Sequence, residues 1–496
     1  MPEQKHIFLS KSKYGSGLQC LKYLWYQFNL KNEIPAYDPE TLEIFKQGQI
    51  VGELAHQLYS EGIKLKRDWN PEKMAARSLE ASLQRKPLFE AGFVYKNAYA
   101  IADILVPVGK DEWDLIEVKS STRVKPENIY DTAFQKYTYE GAGLKIKKCY
   151  LMYVNNEYVR QGGLDPRQFF HKEDISDQVT ELLPGIEKKI EAMLRVIGDK
   201  SMPDIKVGPH CEAPYECPLQ EVCWKFLPDE DVFTLYRGGK TSFALMERGI
   251  LQLKDIPADF ELSDKQRLQV AAHISKKPYI DKPAIKEFLS ELKYPLYFLD
   301  FETIAPAIPY YDQTRPYEDI PFQYSLHVVE KKGSLPRHYG YLAPGDIDPR
   351  PEILAQLKEK LGRSGSIVAY NSGYEIKCLQ LAMRTYPEYE KWVDEMNLRM
   401  VDLWVPFRKF FYYHPDQRGG GSLKNVLPAM TGKGYADMEI AGGGAARFEY
   451  MRVTFDKKVA ESERQRVRAA LDRYCEMDTL AMVEVVEALG EISHLK

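Results

Sequence analysis

The sequence lacks any apolar run that could cross a membrane. Its 496 residues contain no uninterrupted apolar stretch close to the ~20 residues that a membrane-spanning helix needs. The opening segment, MPEQKHIFLSKSKYG, also lacks the apolar core of a secretory signal. We therefore expect a cytoplasmic protein without a membrane partner.

Closely spaced cysteine pairs and a strong net charge are missing as well. The seven cysteines include no C-x-x-C pair, and a disulfide framework is not expected in a long cytoplasmic chain. Lysine and arginine number 68 against 72 aspartates and glutamates, which gives a formal net charge of -4. A nucleic-acid partner would therefore be held by local basic patches, not by the charge of the whole molecule.

The remaining composition is typical of a globular protein with several domains. Hydrophobic residues make up 44% of the chain and charged residues 28%. At roughly 150 residues per domain, the length predicts two to four domains. The order of apolar strands and amphipathic helices predicts an α/β protein in three sections. These are an α/β/α domain at 1–230, a mainly helical linker at 231–293 and a second α/β domain at 294–496.

Local patterns add detail to these sections. A helix is predicted over 18–30, and strands are predicted over 93–108 and 112–121. In the linker, a helix–glycine–turn segment is compatible with a small helical hairpin that binds a DNA backbone, although a plain helical linker is favoured. Two glycine-rich pieces, 418–425 and 441–450, are predicted to be loops.

Two acids and a lysine lie on the predicted strands of the first domain. Side chains alternate along a strand, so Glu117 and Lys119 point to the same face. Asp103 and Glu117 would share a divalent cation, and such hard oxygen ligands suit Mg²⁺ or Mn²⁺. Lys119 would orient the attacking water and stabilise charge on a phosphate. An isolated E-x-K on a strand, by contrast, is usually an exposed ion-pair ladder.

Residues on the flanking helices favour the catalytic interpretation. Gly52 and His56 form a G-x-x-x-H before the strands, and Gln135 and Tyr139 form a Q-x-x-x-Y after them. With the acids and the lysine, this set resembles the RecB-type branch of the PD-(D/E)XK nucleases over most of the first section. The resemblance implies a restriction-endonuclease-like fold with His56 and the two acids as metal ligands, a catalytic lysine, and the Gln and Tyr near DNA. Ala100 stands where this family often has glycine.

Four cysteines bracket this site. One lies near the start of the chain and three are separated by five residues each in HCEAPYECPLQEVCWKF; they are Cys20, Cys211, Cys217 and Cys223. Converging thiolates bind soft metals or iron–sulfur clusters, whereas zinc sites more often contain C-x-x-C pairs. The set resembles the [4Fe–4S] cysteines of CRISPR-associated RecB-like exonucleases and AddB-type nuclease domains, which implies a cluster that joins the ends of the domain. A cluster is favoured over zinc and over unligated thiols. The predicted ordinary buried thiols are Cys149, Cys378 and Cys475.

A second set of acids begins with Asp300 and Glu302, which share one face at the end of the predicted strand LYFLDFETIA. Further candidates follow along the chain, namely Asn371, Glu375, Tyr474 and Asp478. The order D-x-E, N-x-x-x-acid and Y-x-x-x-D resembles the DnaQ-like exonucleases of the RNase H-like fold, in their tyrosine-bearing DEDD form. The resemblance implies four carboxylates that hold two metal ions ~4 Å apart, with the tyrosine orienting the attacking water.

This second set departs from the family at Glu375, where the family has aspartate. The extra methylene still reaches a metal but alters the geometry. Asp402 is either a substitute ligand or a structural acid. Lys424 matches a serine–leucine–lysine segment of these exonucleases and, with Asn371, is a candidate nucleic-acid contact. Ser422 would cap the helix that follows, and a simple capped surface helix is an equally good interpretation of this segment.

Together the two resemblances predict a metal-dependent nuclease with two separate active sites, similar to a prokaryotic family that combines both domains. Hydrolysis would be direct, since neither site offers a Ser–His or Cys–His nucleophile. DNA is favoured over RNA as the substrate. Two alternatives stay open. One is a nucleic-acid-binding or assembly factor whose RNase H-like domain has lost catalysis, and the other is an enzyme whose C-terminal half acts on RNA.

Overall fold

A computed structural model describes residues 7–345 and 347–494. The chain forms two compact units, one of Met1–Phe226 with Pro306–Tyr317 and one of Leu227–Ala305 with Glu318–Lys496. Both units combine helices and sheets, which confirms the predicted mixed α/β class. The predicted linker section lies within the second unit.

The first unit is built on a seven-stranded mixed sheet. Its strands are β1 Leu9–Ser10, β2 Ile63–Lys64, β3 Leu88–Tyr95, β4 Ala98–Val108, β5 Glu112–Lys119, β6 Lys145–Val154 and β7 Phe170–Asp174. The spatial order is β2-β3-β4-β5-β6-β7, and β1 pairs in parallel with β4. The β3–β4, β4–β5 and β6–β7 pairs are antiparallel, while β5 and β6 run parallel. A turn at Lys96 and Asn97 divides the predicted strand 93–108 between β3 and β4.

Eight helices of this unit are described. They are α1 Lys11–Gln19, α2 Leu21–Asn29, α3 Pro39–His56, α4 Pro71–Ser82, α5 Pro126–Gly141, α6 Pro166–Phe169, α7 Ser176–Gly198 and α8 Gln220–Cys223. Side chains of α1, α5 and α7 pack with β3, β4 and β5 in one apolar core. The predicted helix 18–30 is interrupted at Cys20, whose backbone is extended with φ -156° and ψ 118°. This cysteine therefore lies at the break between α1 and α2.

Local sequence signals fix the starts of the helices that flank the first site. Asp38 accepts a hydrogen bond from the Thr41 amide at 2.8 Å and so caps α3, the helix that ends with His56. Pro39 is the first residue of this helix, where the amide that proline lacks would have no helical partner. Both signals lie at the N-terminal end of the helix, and His56 is its last residue.

The second unit contains a five-stranded sheet and a two-stranded ribbon. The strands are β8 Tyr279–Ile280, β9 Leu296–Ile304, β10 Ile320–Val329, β11 Arg337–Leu342, β12 Ser366–Ala369, β13 Met400–Asp402 and β14 Tyr412–Tyr413. The sheet order is β11-β10-β9-β12-β13, and β8 pairs with β14. β9 is antiparallel to β10 and parallel to β12. β9 is buried along nearly its whole length because it is the central strand.

Ten helices of the second unit are described. They are α9 Lys240–Glu247, α10 Asp264–Ser275, α11 Lys282–Ser290, α12 Arg350–Lys360, α13 Gly373–Thr385, α14 Glu390–Asn397, α15 Val405–Arg408, α16 Leu423–Thr431, α17 Gly443–Phe455 and α18 Glu461–His494. The long α18 packs on β9 and β10 and also contacts α11, α16 and α17. The predicted loop 441–450 is wrong over most of its length, since α17 begins at its third residue. Its glycines are confined to the first turn, and the residues after them favour a helix.

Within the described ranges 7–345 and 347–494, no helix has both the length and the apolar character that a membrane span requires.

Candidate active sites

The second unit brings three carboxylates together. Asp300 and Glu302 lie on β9 with their side chains on one face, and Asp478 lies on α18, which packs against that strand. One carboxylate oxygen of each lies within 4.8 Å of the others. In the described part of the chain, these acids are the one group of three or more potential ligands that meets this distance.

The three acids are held close together in surroundings that disfavour their charge. Burial raises the pKa of Asp300 well above its usual range, and the neighbouring Asp478 and Glu302 raise it further. Burial and the charge of Asp478 likewise raise the pKa of Glu302 to about 8. Like charges at such distances cannot all be ionised without compensation. A divalent cation with oxygen ligands would supply that compensation.

Glu375 lies near these acids but outside the group of three. It is in the first turn of α13 and only 2% exposed, and its Oε2 has no hydrogen-bond partner. Burial raises its pKa to about 8, and Asp402 and Glu302 add to the shift. Burial thus favours the protonated, neutral form of this side chain, which lies within electrostatic range of Glu302.

Asp402 and Asn371 have local structural roles. Asp402 Oδ1 accepts hydrogen bonds from the backbone amides of Asn371 and Trp404, both at 2.9 Å. Asn371 has a left-handed backbone with φ 67° and is exposed. These contacts support the structural interpretation of Asp402, because one of its oxygens is occupied in holding the end of β12 against β13.

Two tyrosines lie beside Asp478, and the sequence motif contained only one of them. Tyr474 lies one turn before Asp478 on α18, and its hydroxyl opposes the rise in the pKa of Asp478 that burial causes. Tyr435 donates its hydroxyl to Asp478 Oδ1 at 2.6 Å. Tyr435 was missed because it lies in a short irregular segment, 43 residues before its partner. No spacing rule in the sequence connects the two.

Lys424 and Arg447 supply positive charge beside the three acids. The Lys424 ammonium lies 5.1 Å from the Tyr474 ring centre and donates to the Ala441 carbonyl at 2.6 Å. Arg447 donates from Nε to the Thr303 carbonyl at 3.0 Å. Both cations oppose the upward pKa shift of Glu302. Ser422 occupies the predicted cap position of α16, but its hydroxyl bonds to the Asn425 side chain and not to a helix amide.

In the first unit, β4 and β5 place Asp103 and Glu117 side by side. The antiparallel register pairs Ile104 with Ile116, so the two acids occupy the next positions across the ladder. The Val118 amide donates to Asp103 Oδ2 at 2.7 Å. Burial and the charge of Glu117 raise the pKa of Asp103 to about 7.

Glu117 is fully enclosed by hydrogen-bonding partners. It is 1% exposed; its Oε2 accepts from Gln135 Nε2 at 2.6 Å, and its Oε1 lies 2.8 Å from Lys119 Nζ. Burial alone would raise its pKa, but the ion pairs with Lys11 and Lys119 outweigh burial and lower it. Lys119 also donates to Asp131 at 2.8 Å. The glutamate is therefore ionised and the lysine stays protonated.

Tyr139 lies in the interior of the unit, and His56 is half-buried. The His56 ring stacks on Phe89 with ring centres 4.2 Å apart, and its Nε2 is buried without a hydrogen-bond partner. Tyr139 is fully buried against Phe93, and its hydroxyl is also unpaired. The unpaired His56 nitrogen is a possible ligand atom. Tyr139 is placed to pack the core beneath the acids.

Three further residues of the first site carry no sequence signal. Lys11 lies 2.6 Å from Glu117 Oε1, although 106 residues separate the two in the chain. Asp131 pairs with Lys119. Glu90 lies within β3 with a left-handed backbone, φ 58°, and burial raises its pKa. All three depend on tertiary contacts, so no motif could have identified them.

The four bracketing cysteines converge in the first unit. Cys20, Cys211, Cys217 and Cys223 line one cavity together with Trp224 and apolar neighbours. Burial raises the pKa of Cys217 to about 11, and the other three sulfurs contribute to the shift. The remaining cysteines are 1% exposed or less, as predicted; they are Cys149, Cys378 and Cys475. Cys475 also donates to Asp300 Oδ2 at 3.8 Å.

Comparison with known proteins adds one match. A family described as a domain of unknown function (DUF2779) matches residues 297–422. This region starts on the strand that carries Asp300 and Glu302 and includes Glu375, but it ends before Lys424 and Asp478. No curated protein matches the chain.

Proposed function

We propose that the protein is a metal-dependent nuclease that hydrolyses nucleic-acid phosphodiesters, with DNA the favoured substrate. The observation that carries the proposal is the approach of carboxylate oxygens of Asp300, Glu302 and Asp478 to within 4.8 Å of one another. Such a group of buried acids suits hard divalent cations, above all Mg²⁺ and Mn²⁺. The proposed fold around it is RNase H-like, of the DnaQ type.

At this second site the chain's own residues would position the reactants. When bound, the metal ions would activate water and stabilise the leaving oxygen. Tyr435 holds Asp478 by a hydrogen bond, and Tyr474 lies one turn away on the same helix, where its hydroxyl would orient the attacking water. Lys424 and Arg447 place positive charge where a phosphate backbone would enter.

The first site would be a separate hydrolytic centre of the RecB-like, restriction-endonuclease-like type. Asp103, Glu117 and the unpaired His56 Nε2 would hold the metal. One ligand atom from each does not lie within 4.8 Å of the other two in the metal-free chain, so metal binding would draw the three side chains together. Gln135 fixes the orientation of Glu117, and Lys119, which is 25% exposed, contacts the other carboxylate oxygen and would stabilise charge on the phosphate. Asp131 holds Lys119 in its charged form, which this role requires.

The four clustered cysteines would bind a [4Fe–4S] cluster with a structural role. The donor set fits, because the four thiols come from separated segments and line one cavity. Zinc sites more often contain C-x-x-C pairs, which this set lacks, so a cluster is favoured over a single zinc ion.

A second candidate function assigns catalysis to the first site alone. Glu375, in place of the family's aspartate, is buried outside the group of three and retains an unpaired oxygen. Under this alternative the second unit binds nucleic acid without cleaving it. The first unit would then carry all of the activity.

The test compares Lys119→Ala, Asp300→Asn and the double variant on end-labelled single-stranded DNA, double-stranded DNA and RNA with Mg²⁺ or Mn²⁺. Anaerobic preparation should give a brown protein that absorbs broadly near ~400 nm. Lys119→Ala should lose the cleavage due to the first site, and Asp300→Asn should lose the cleavage due to the second site. The double variant should lose both. Lys332→Ala and Asp264→Asn, both at exposed positions, serve as matched controls. Undiminished cleavage by the double variant would refute the proposal, and loss only with Lys119→Ala would favour the binding alternative.

A further inference from the structure

Lys11 reaches the first site from a part of the chain that the nuclease motifs do not include. It is the first residue of α1 and follows β1 directly. β1 pairs with β4, with Leu9 opposite Ala98 and Ser10 opposite Tyr99. Leu9 is fully buried, and Ser10 accepts from the Lys13 amide as the cap of α1. The backbone of Lys11 is therefore anchored to the strand that carries Asp103.

The Lys11 ammonium occupies a position that a metal ion would need. Its Nζ lies 2.6 Å from Glu117 Oε1, the oxygen that Lys119 also contacts at 2.8 Å. The other oxygen accepts from Gln135. Both acceptor positions of Glu117 Oε1 are thus occupied by ammonium groups, and a divalent cation that binds this oxygen must displace one of them.

Displacing the Lys11 ammonium from Glu117 costs less free energy than displacing that of Lys119. Lys119 has a second anionic partner, Asp131, at 2.8 Å, which holds it in place whether or not Glu117 binds a cation. Among the described residues, Lys11 forms an ion pair within 4.0 Å only with Glu117. Two ammonium groups on one oxygen also repel each other. The side chain of Lys11 is 23% exposed, so the ammonium can return to water when it is displaced.

We propose that Lys11 is a built-in counter-ion of the metal-free first site and that divalent cations bind Glu117 by displacing its ammonium. The inference rests on the proposed function of this site. Lys11 stabilises the buried carboxylates while no metal is present, and it raises the metal concentration at which the site becomes active. It is a positioning residue that regulates metal occupancy, since it acts on the ligand and not on the substrate.

The test measures Mn²⁺ binding to the full chain with its cysteine site loaded. The second site is silenced by Asp300→Asn and Asp478→Asn, and Lys11→Met is compared with Lys11→Arg in that background. Lys11→Met should bind Mn²⁺ about tenfold more tightly because the competing charge is gone. Lys11→Arg, which keeps the charge, should stay within about threefold of the background. Lys13→Met, on the same helix but stacked over Phe28, should leave the affinity unchanged.

A stability measurement distinguishes competition between Lys11 and the metal from a purely structural role of Lys11. In EDTA, Lys11→Met should unfold at a lower temperature than the background, and saturating Mn²⁺ should remove the difference. Mn²⁺ affinity equal to or weaker than the background would overturn the role of Lys11 while leaving the first metal site intact. Absence of Mn²⁺ binding in both proteins would overturn this inference together with the proposed function of the first site.

Discussion

The two acidic sites differ in how the negative charge of their buried carboxylates is balanced. In the first site Glu117 is surrounded by Lys11, Lys119 and Gln135, and its charge is compensated by the protein itself. In the second site three carboxylates face one another, and burial shifts their pKa values upward. A compensated site can be stable without metal, whereas an uncompensated one gains its stability from a bound cation or from protons.

The largest expected effect concerns the uncompensated site. Asp300→Asn should reduce Mg²⁺-dependent cleavage by the second site at least about a hundredfold, because a metal ligand is lost. The same change should stabilise the metal-free protein, since a buried acid whose pKa is raised by folding is replaced by a side chain that takes up no proton. Cleavage assays in a Lys119→Ala background and thermal unfolding in EDTA measure the two effects. A variant less stable than the parent in EDTA would mean that the protein already balances the charge of Asp300 without metal.

A cysteine variant tests whether the first unit owes its stability to a bound group as well. Cys217→Ser should abolish the brown colour and destabilise the first unit by several kcal/mol, because the cluster's binding energy contributes to folding. Iron content and unfolding curves give the result. Cys149→Ser, a matched change at a buried thiol outside the cluster, should keep the iron. Equal iron content in both variants would contradict the cluster.

The pH dependence of stability should differ between the metal-free and metal-bound protein. Glu302 and Glu375 have pKa values of about 8 in the folded chain, above the usual 4.5. The folded state therefore binds more protons than the unfolded state between pH 4.5 and 8, so stability falls as pH rises through this window. The slope is at most about 1.4 kcal/mol per pH unit for each carboxyl.

Chemical denaturation of the EDTA-treated chain from pH 5 to pH 8 measures this slope. Glu302→Gln should reduce it, and saturating Mg²⁺ should also flatten it, because the metal-bound carboxylates are ionised in the folded state. A stability that rises with pH over the same window in EDTA would show that these acids are already compensated, as Glu117 is.

The smallest expected effect comes from Tyr435→Phe. It removes the hydroxyl that donates to Asp478 at 2.6 Å, and a hydrogen bond to a charged group is worth about 1.5–3 kcal/mol. We expect the apparent Mn²⁺ affinity of the second site to fall about threefold to tenfold while the fold is kept. Tyr412→Phe is the control, since Tyr412 is buried elsewhere in the unit. An unchanged affinity would show that Tyr474 alone positions Asp478.

Much of the framework could be predicted from the sequence because it depends on local patterns. The strand with Asp300 and Glu302 and the helix with Tyr474 and Asp478 both follow from the periodicity of apolar residues. The helix predicted through Cys20 was divided by an extended residue, and the predicted loop at 441–450 is mostly helix α17. In both cases the prediction extended one kind of secondary structure over more residues than adopt it.

Charge compensation could not be predicted in the same way. Lys11 and Glu117 are 106 residues apart, and Tyr435 and Asp478 are 43 apart. Each pair is created by the packing of two elements, so neither has a spacing that a sequence motif could record. The acids of both candidate sites were predicted from the sequence, but the residues that balance their charges were not.

The most direct test of the central claim is the location of Mn²⁺ in crystals of the full chain grown with the metal. We expect an anomalous scattering peak among the carboxylates of Asp300, Glu302 and Asp478. A map with Mn²⁺ absent from these three acids, at a concentration that supports cleavage, would contradict the account.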